Sequence, residues 1–181
     1  MEDKEIEVKL IINENIKQRI IEDLDKTAVK VSTSSLIDTY YIPNFKDFEV
    51  DGETIECVRI RQNKKGTTLT YKRIHKEAVP IYCDEYETLV ENKDQMEKIL
   101  LALGFKIQMV IDKTRVSYKL DNFEFDFDTV KGLGELLEIE LKDNNASIET
   151  IYKFVSTYGL SEKDVTNEGI QDLMKKAMKL S

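Results

Sequence analysis

At 181 residues, with 41% hydrophobic and 34% charged residues, the chain has the size and make-up of one globular domain that can bury a proper core. A net charge of −8 argues against a broad nucleic-acid-binding surface, no apolar run reaches the length of a membrane span, and Met1 to Glu7 lack the apolar core of a signal peptide. Two cysteines, Cys57 and Cys83, are too few for a disulfide scaffold and fit free thiols in a cytoplasmic protein.

The first predicted strand runs from Glu5 to Ile12. A helix capped by Asn15 follows, with Ile16, Ile20, Ile21 and Leu24 on one face. Ser32 to Ser35 reads as a polar loop, and Asp38 to Ile42 as a short strand stopped by Pro43. Phe45 and Phe48 are expected to tuck against the body. Thr54–Gln62 and Thr67–His75 form a hairpin across Asn63-Lys64-Lys65-Gly66. Pro80 to Val90 is the next strand, and Asn92 caps a helix closed by Gly104. Gln108 to Leu120 is a long strand that turns at Asp121-Asn122 into Phe123–Val130, which in turn pairs through a Gly132/Gly134 turn with Glu135–Leu141. Ser147 caps a further helix ended by Gly159, and a last helix spans roughly Thr166 to Leu180. The count, about eight strands and three or four helices, predicts an α+β domain with a sequential antiparallel sheet, open or rolled into a barrel.

Charged and apolar residues alternate along the strands, so each strand presents one charged and one apolar face. Glu124, Asp126 and Asp128 alternate with phenylalanines, Glu138 and Glu140 with Leu137, Ile139 and Leu141, and Glu5-Ile6-Glu7-Val8-Lys9 repeats the pattern of Glu138-Ile139-Glu140-Leu141-Lys142. Arg59 and Arg61 share a face, as do Lys113 and Arg115, while Lys72 lies with Thr68 and Thr70. Acids cluster near residues 5, 85, 126 and 138, and bases near 59, 72 and 113. Sorting of this kind predicts an acidic and a basic wall around an enclosed space, with the apolar faces outward under the helices. Lys9, Arg59, Arg61, Lys72, Lys113 and Arg115 suit a polyanion, because guanidinium and ammonium groups match phosphate oxygens. Glu5, Glu7, Asp128, Glu138 and Glu140 suit Mg²⁺ or Mn²⁺, hard cations that bridge carboxylates to phosphates. The residues thus point to a metal-assisted triphosphate site; the competing reading is a set of salt bridges on an exposed sheet. His75, the sole histidine, reads as solvated or hydrogen-bonded rather than catalytic, and Tyr40 and Tyr41 as core.

The same residues resemble the CYTH family, the triphosphate tunnel metalloenzymes. Glu5-x-Glu7-x-Lys9 is similar to that family's signature, and Arg59-x-Arg61, Lys72, Lys113-x-Arg115, Asp128-x-Val130-x-Gly132-Leu133-Gly134 and Glu138-x-Glu140 follow its pattern, from about Glu5 to Leu141. The resemblance implies an eight-stranded antiparallel closed β-barrel, a tunnel with helices packed on its outside, in a single domain over 1–181. It assigns the metal to Glu5, Glu7, Asp128, Glu138 and Glu140, the phosphates to Lys9, Arg59, Arg61, Lys72, Lys113 and Arg115, and the catalytic step to Glu5, Glu7 and Lys9. The implied substrate is ATP, thiamine triphosphate or inorganic triphosphate. The stretch from Asp38 to Arg61 looks most like the class IV adenylate cyclases, with a triphosphate phosphohydrolase as the alternative and a non-catalytic phosphate-binding module as a third reading. Many members carry a Ser-Tyr pair near the C-terminal helix, where this chain has Glu168-Gly169-Ile170. No nucleic acid or membrane partner is expected, and a homodimer is compatible with the sequence.

Overall fold

The computed structural model describes residues 4–78, 81–142 and 148–180, and the side chains of all of these except 4, 5 and 180. The expected Ser147 cap and the start of a strand at Pro80 lie outside the described residues. The elements run β1 (Lys4–Ile12), α1 (Glu14–Thr27), β2 (Val29–Pro43), β3 (Glu49–Val50), β4 (Glu53–Thr54), β5 (Glu56–Asn63), β6 (Gly66–His75), β7 (Tyr82–Leu89), α2 (Lys93–Ala102), β8 (Phe105–Leu120), β9 (Phe123–Val130), β10 (Gly134–Leu141), α3 (Ile148–Ser156), β11 (Val165–Thr166) and α4 (Ile170–Leu180). The class is α+β, and every strand pairing given below is antiparallel. The long strands match the expected set, and β3, β4 and β11 add two residues each. No described helix is long and apolar enough to cross a membrane.

The chain forms two compact units, each drawn from separated stretches. Unit 1 comprises Ser35–Asp112 with the C-terminal stretch from Glu168, and unit 2 comprises Glu5–Ser34 with Lys113–Asn167. In unit 1, β5 pairs with β2 on one side and β6 on the other, and β6 pairs with β7. The turn between β5 and β6 is held by Asn63 Oδ1, which accepts from the Lys65 and Gly66 N–H groups. Tyr41, Val58 and Ile60 lie on one face of this sheet and pack with Phe48 and with Leu100 of α2. Asn92 Oδ1 caps α2 by accepting from Gln95 N at 3.0 Å. Gly104 leaves the helix at φ +89°, and a Cβ there would lie 2.8 Å from Asn44 Oδ1, so glycine is required on both counts. Phe48 is buried as expected; Phe45 is exposed, its ring edge-on to Phe105.

In unit 2, β10 is flanked by β9 and β1, β9 pairs onward with β8, and β1 with β11. Val8, Leu10, Phe125, Phe127, Leu137 and Ile139 form the apolar face, covered by Ile20 and Leu24 of α1 and by Ile151 and Val155 of α3. Three local expectations are corrected. The α1 cap is Asn13, not Asn15: its Oδ1 accepts from Ile16 N at 2.9 Å, directly after β1 ends. Residues 32–35 are strand, because β-branched Val29, Val31 and Thr33 favour extended backbone and carry β2 through. Finally, Val165 and Thr166 belong to β11, and α4 begins only after Gly169.

Candidate functional site

Residues directly opposite on antiparallel strands share a sheet face, so the register shows which side chains meet. In unit 2, Glu7 faces Glu140 and Lys9 faces Glu138; Glu138 faces Asp126, and Asp128 faces Arg115. All lie on the side opposite the apolar face, as the alternation requires. Asp128 is fully buried and takes a bidentate grip from Arg115 (Nε–Oδ1 2.7 Å, Nη2–Oδ2 2.6 Å) together with Lys113 Nζ at 2.5 Å. Arg115 also donates to Asp126 and, at 2.6 Å, to Glu138, and Ser117 Oγ donates to Asp126. Lys9 Nζ sits 3.4 Å from Glu7 and 3.3 Å from Glu138. Burial alone would raise the Asp128 pKa, but Arg115 and Lys113 outweigh it and hold the carboxyl below its ordinary value. Glu5 lies on β1, with its side chain outside those described.

Unit 1 carries a second polar face. Asp38 and Tyr40 of β2 oppose Arg61 and Arg59 of β5, which oppose Thr68 and Thr70 of β6; Thr70 and Lys72 oppose Glu87 and Glu85 of β7. Arg61 grips Asp38 through Nε and Nη2 at 2.7 and 2.8 Å, and Lys72 Nζ reaches Glu85 at 2.7 Å. Arg59 donates from Nη2 to Thr70 Oγ1 at 3.1 Å and lies 3.7 to 3.9 Å from Glu87 and Glu85. It is 8% exposed, and its Nε, with no solvent access, has no hydrogen-bond partner among the described residues. A buried donor left without an acceptor costs about 1–3 kcal/mol.

The predicted site residues therefore divide. Glu7, Lys9, Lys113, Arg115, Asp128, Glu138 and Glu140 come together on the unit 2 face, and Arg59, Arg61 and Lys72 on the unit 1 face. The sorting of acids from bases predicted from strand composition does not hold within either unit, because opposite charges have been brought into cross-strand register. Sequence reasoning left Asp126 and Asp38 without a role, although Asp126 stands two residues before Asp128 in the same alternation. Glu85 and Glu87 had been noticed only as acids on one face. His75 is hydrogen-bonded to Asp84 (2.7 Å) and Glu77 (3.1 Å) and stacked on Tyr82, as the hydrogen-bonded reading expected.

Among the described residues no three acidic, histidine or cysteine side chains converge as a ready-made metal centre. The donor chemistry nevertheless suits a hard divalent cation. On the unit 2 face six carboxylates (Glu7, Glu124, Asp126, Asp128, Glu138 and Glu140) stand against five cations (Lys9, Lys113, Arg115, Lys119 and Lys142). All of these donors are oxygens.

A model of the CYTH domain matches residues 3–170. The chain belongs to the CYTH family. A Methanocaldococcus jannaschii protein named as a candidate adenylate cyclase is 28% identical over 175 residues, covering 93% of this CYTH chain and 97% of that protein. A Pyrococcus horikoshii protein of solved structure superimposes with a TM-score of 0.78 at 28% identity, over 94% of this chain and 99% of its own. The same fold occurs in a Hippeastrum protein described as a candidate adenylyl cyclase with a dominant triphosphatase activity (TM-score 0.69, 14% identity, covering 96% of this chain and 95% of that one).

Proposed function

We propose that this CYTH protein is a divalent-metal-dependent enzyme acting on a triphosphate, with its strands closed into the tunnel that family membership implies, and that its reaction is ATP cyclisation to cyclic AMP and pyrophosphate. The observation that carries the anionic substrate is the buried Arg59, whose unpartnered Nε–H lacks the acceptor a phosphoryl oxygen would supply. Arg61 and Lys72 add positive charge on the same face. In unit 2, Lys113 and Arg115 serve the phosphates, and Asp128, fully enclosed by those two cations, holds their head groups in place. That role differs from the metal-ligand role suggested by resemblance, because both carboxylate oxygens of Asp128 are already taken up. Glu7, Glu138 and Glu140, with Glu5 on the same strand as Glu7, are the residues that would hold Mg²⁺ or Mn²⁺. When bound, such an ion draws charge off phosphoryl oxygens and lowers the cost of attack at phosphorus. Glu5, Glu7 and Lys9 are assigned to the catalytic step, with the Lys9 ammonium beside Glu7 and Glu138 positioned to orient them. The name of the M. jannaschii relative favours the cyclase over the hydrolase.

The test is a product assay with Mg²⁺ or Mn²⁺ and, separately, ATP, inorganic triphosphate and thiamine triphosphate. Cyclic AMP with pyrophosphate is expected from ATP. Orthophosphate without cyclic product would replace the cyclase reading by the phosphohydrolase. Triphosphate binding without turnover would leave a binding module. Glu138→Gln and Glu140→Gln are each expected to lower turnover by roughly 100-fold or more, the scale of losing one electrostatic group at a reacting centre. Wild-type rates in both variants would sink the assignment of the carboxylates.

A further inference from the structure

Gln171, in the first turn of α4, is 4% exposed, and its Nε2 amide has no hydrogen-bond partner among the described residues. Its side chain is close enough to the Cys57 thiol to stabilise the thiolate form, but sulfur is only a weak acceptor and leaves the amide without a conventional hydrogen bond. Cys57 shares its sheet face with Arg59, two residues on, and stands directly opposite Lys72. Arg59 Nε is the other enclosed N–H without a partner among the described residues; the Thr68 hydroxyl, opposite Arg61, is likewise unpartnered. Two enclosed N–H donors, neither with an oxygen acceptor, thus border one thiol within unit 1. Native proteins rarely leave such groups unmatched, and a pair of them marks a place where a ligand supplies the acceptors.

The surroundings define what kind of acceptor fits. Arg59 is cationic and Lys72 is adjacent, so the ligand atom carries negative charge. Burial pushes the Cys57 thiol upward, so it stays neutral and does not compete as an anion. Backbone at Gly169 leaves room for this arrangement: a Cβ there would approach Gln171 Oε1 to 3.2 Å and crowd the amide. The Glu168-Gly169-Ile170 sequence, a departure from the pattern of many family members, therefore has a local consequence, the free placement of Gln171.

We propose that Gln171 is a substrate-binding residue whose Nε2–H donates, alongside Arg59 Nε–H, to a phosphoryl oxygen of the bound triphosphate. The assignment rests on the triphosphate reading of the protein and specifies which part of α4 touches the substrate.

The experiment is calorimetric titration of the full chain with inorganic triphosphate in the presence of Mg²⁺, using wild type, Gln171→Leu, Gln171→Met and Gln171→Glu. Removing one hydrogen bond to a charged acceptor is expected to weaken binding by about 10-fold in the Leu and Met variants. Gln171→Glu should bind more weakly still, because a carboxylate would then face the phosphate. The unliganded melting temperatures of the Leu and Met variants should stay close to that of wild type, since the lost amide N–H meets only the weakly accepting Cys57 thiol. Wild-type affinity in either folded Leu or Met variant overturns the proposal. Absence of binding by wild type overturns the triphosphate reading itself, and this assignment with it, so the two failures are told apart.

Discussion

The two units build their polar faces by the same device, alternation along paired strands, yet they are unbalanced in opposite senses. On the unit 2 face the carboxylates outnumber the cations, and the cations that are present are drawn tightly into them: Arg115 alone touches Asp126, Asp128 and Glu138. On the unit 1 face the shortage is of acceptors. Arg61 and Lys72 are matched by Asp38 and Glu85, but Arg59 Nε and Gln171 Nε2 find no oxygen acceptor among the described residues. A face richer in carboxylates than in cations is suited to a metal cation, and a face with enclosed donors lacking oxygen acceptors to an anionic oxygen.

The most severe way to break the contrast is to remove the anchor of the unit 2 network. Asp128→Ala leaves the Lys113 and Arg115 charges, one of them almost fully buried, without their shared counter-charge. Breaking a buried pair by removing one member costs about 3–5 kcal/mol, and urea denaturation at pH 7 should show a loss of that size. A loss below about 1 kcal/mol would mean that the network is not the compensated unit described.

Unit 1 answers with a smaller effect. Arg59→Lys keeps the charge but lacks Nε and the planar fork, so it should leave folding stability close to wild type while weakening inorganic triphosphate binding by about 10-fold. Equal binding by the lysine variant would show that charge alone matters at this position, and the unpartnered Nε would lose its significance.

The fold and the site were unequally legible in the sequence. Period-two alternation located the long strands, because the apolar faces of most are packed in a core and a slip of one residue would invert them. It also placed Arg59 with Arg61, Lys72 with Thr68 and Thr70, Lys113 with Arg115, and Glu138 with Glu140 on common strand faces. Cross-strand register was not legible, since nothing in a single strand says that Asp128 will stand opposite Arg115. Separate acidic and basic walls were therefore expected where paired networks formed. Gln171 carried no sequence signal at all: a glutamine in the first turn of an amphipathic helix reads as solvated, and only its burial against β5 distinguishes it. Asn13 and the strand over residues 32–35 were missed for a simpler reason, since short polar residues read as loop until their partners are known.

The mildest test concerns the residue that holds Gln171 in position. Asp172 accepts from the Thr54 backbone N–H at 2.8 Å and from Thr54 Oγ1 at 2.7 Å, and it pairs with Lys175 at 3.1 Å, fastening the start of α4 to β4. Burial would raise its pKa, but the two Thr54 hydrogen bonds and Lys175 prevail, and the carboxyl lies below its ordinary value. A depressed folded-state pKa means that the unfolded chain takes up the proton first. The stabilisation is thus complete above the unfolded value of about 3.9 and disappears as pH falls through the lower folded value. Asp172→Asn should cost about 1 kcal/mol at pH 7, because the amide nitrogen cannot accept from Thr54. Below about pH 4 the gap between variant and wild type should narrow, as protonation gives the native carboxyl the same defect. Urea denaturation of both proteins at pH 7 and at pH 3 measures this, and a gap that stays constant would show that the ionised carboxylate is not what anchors the helix.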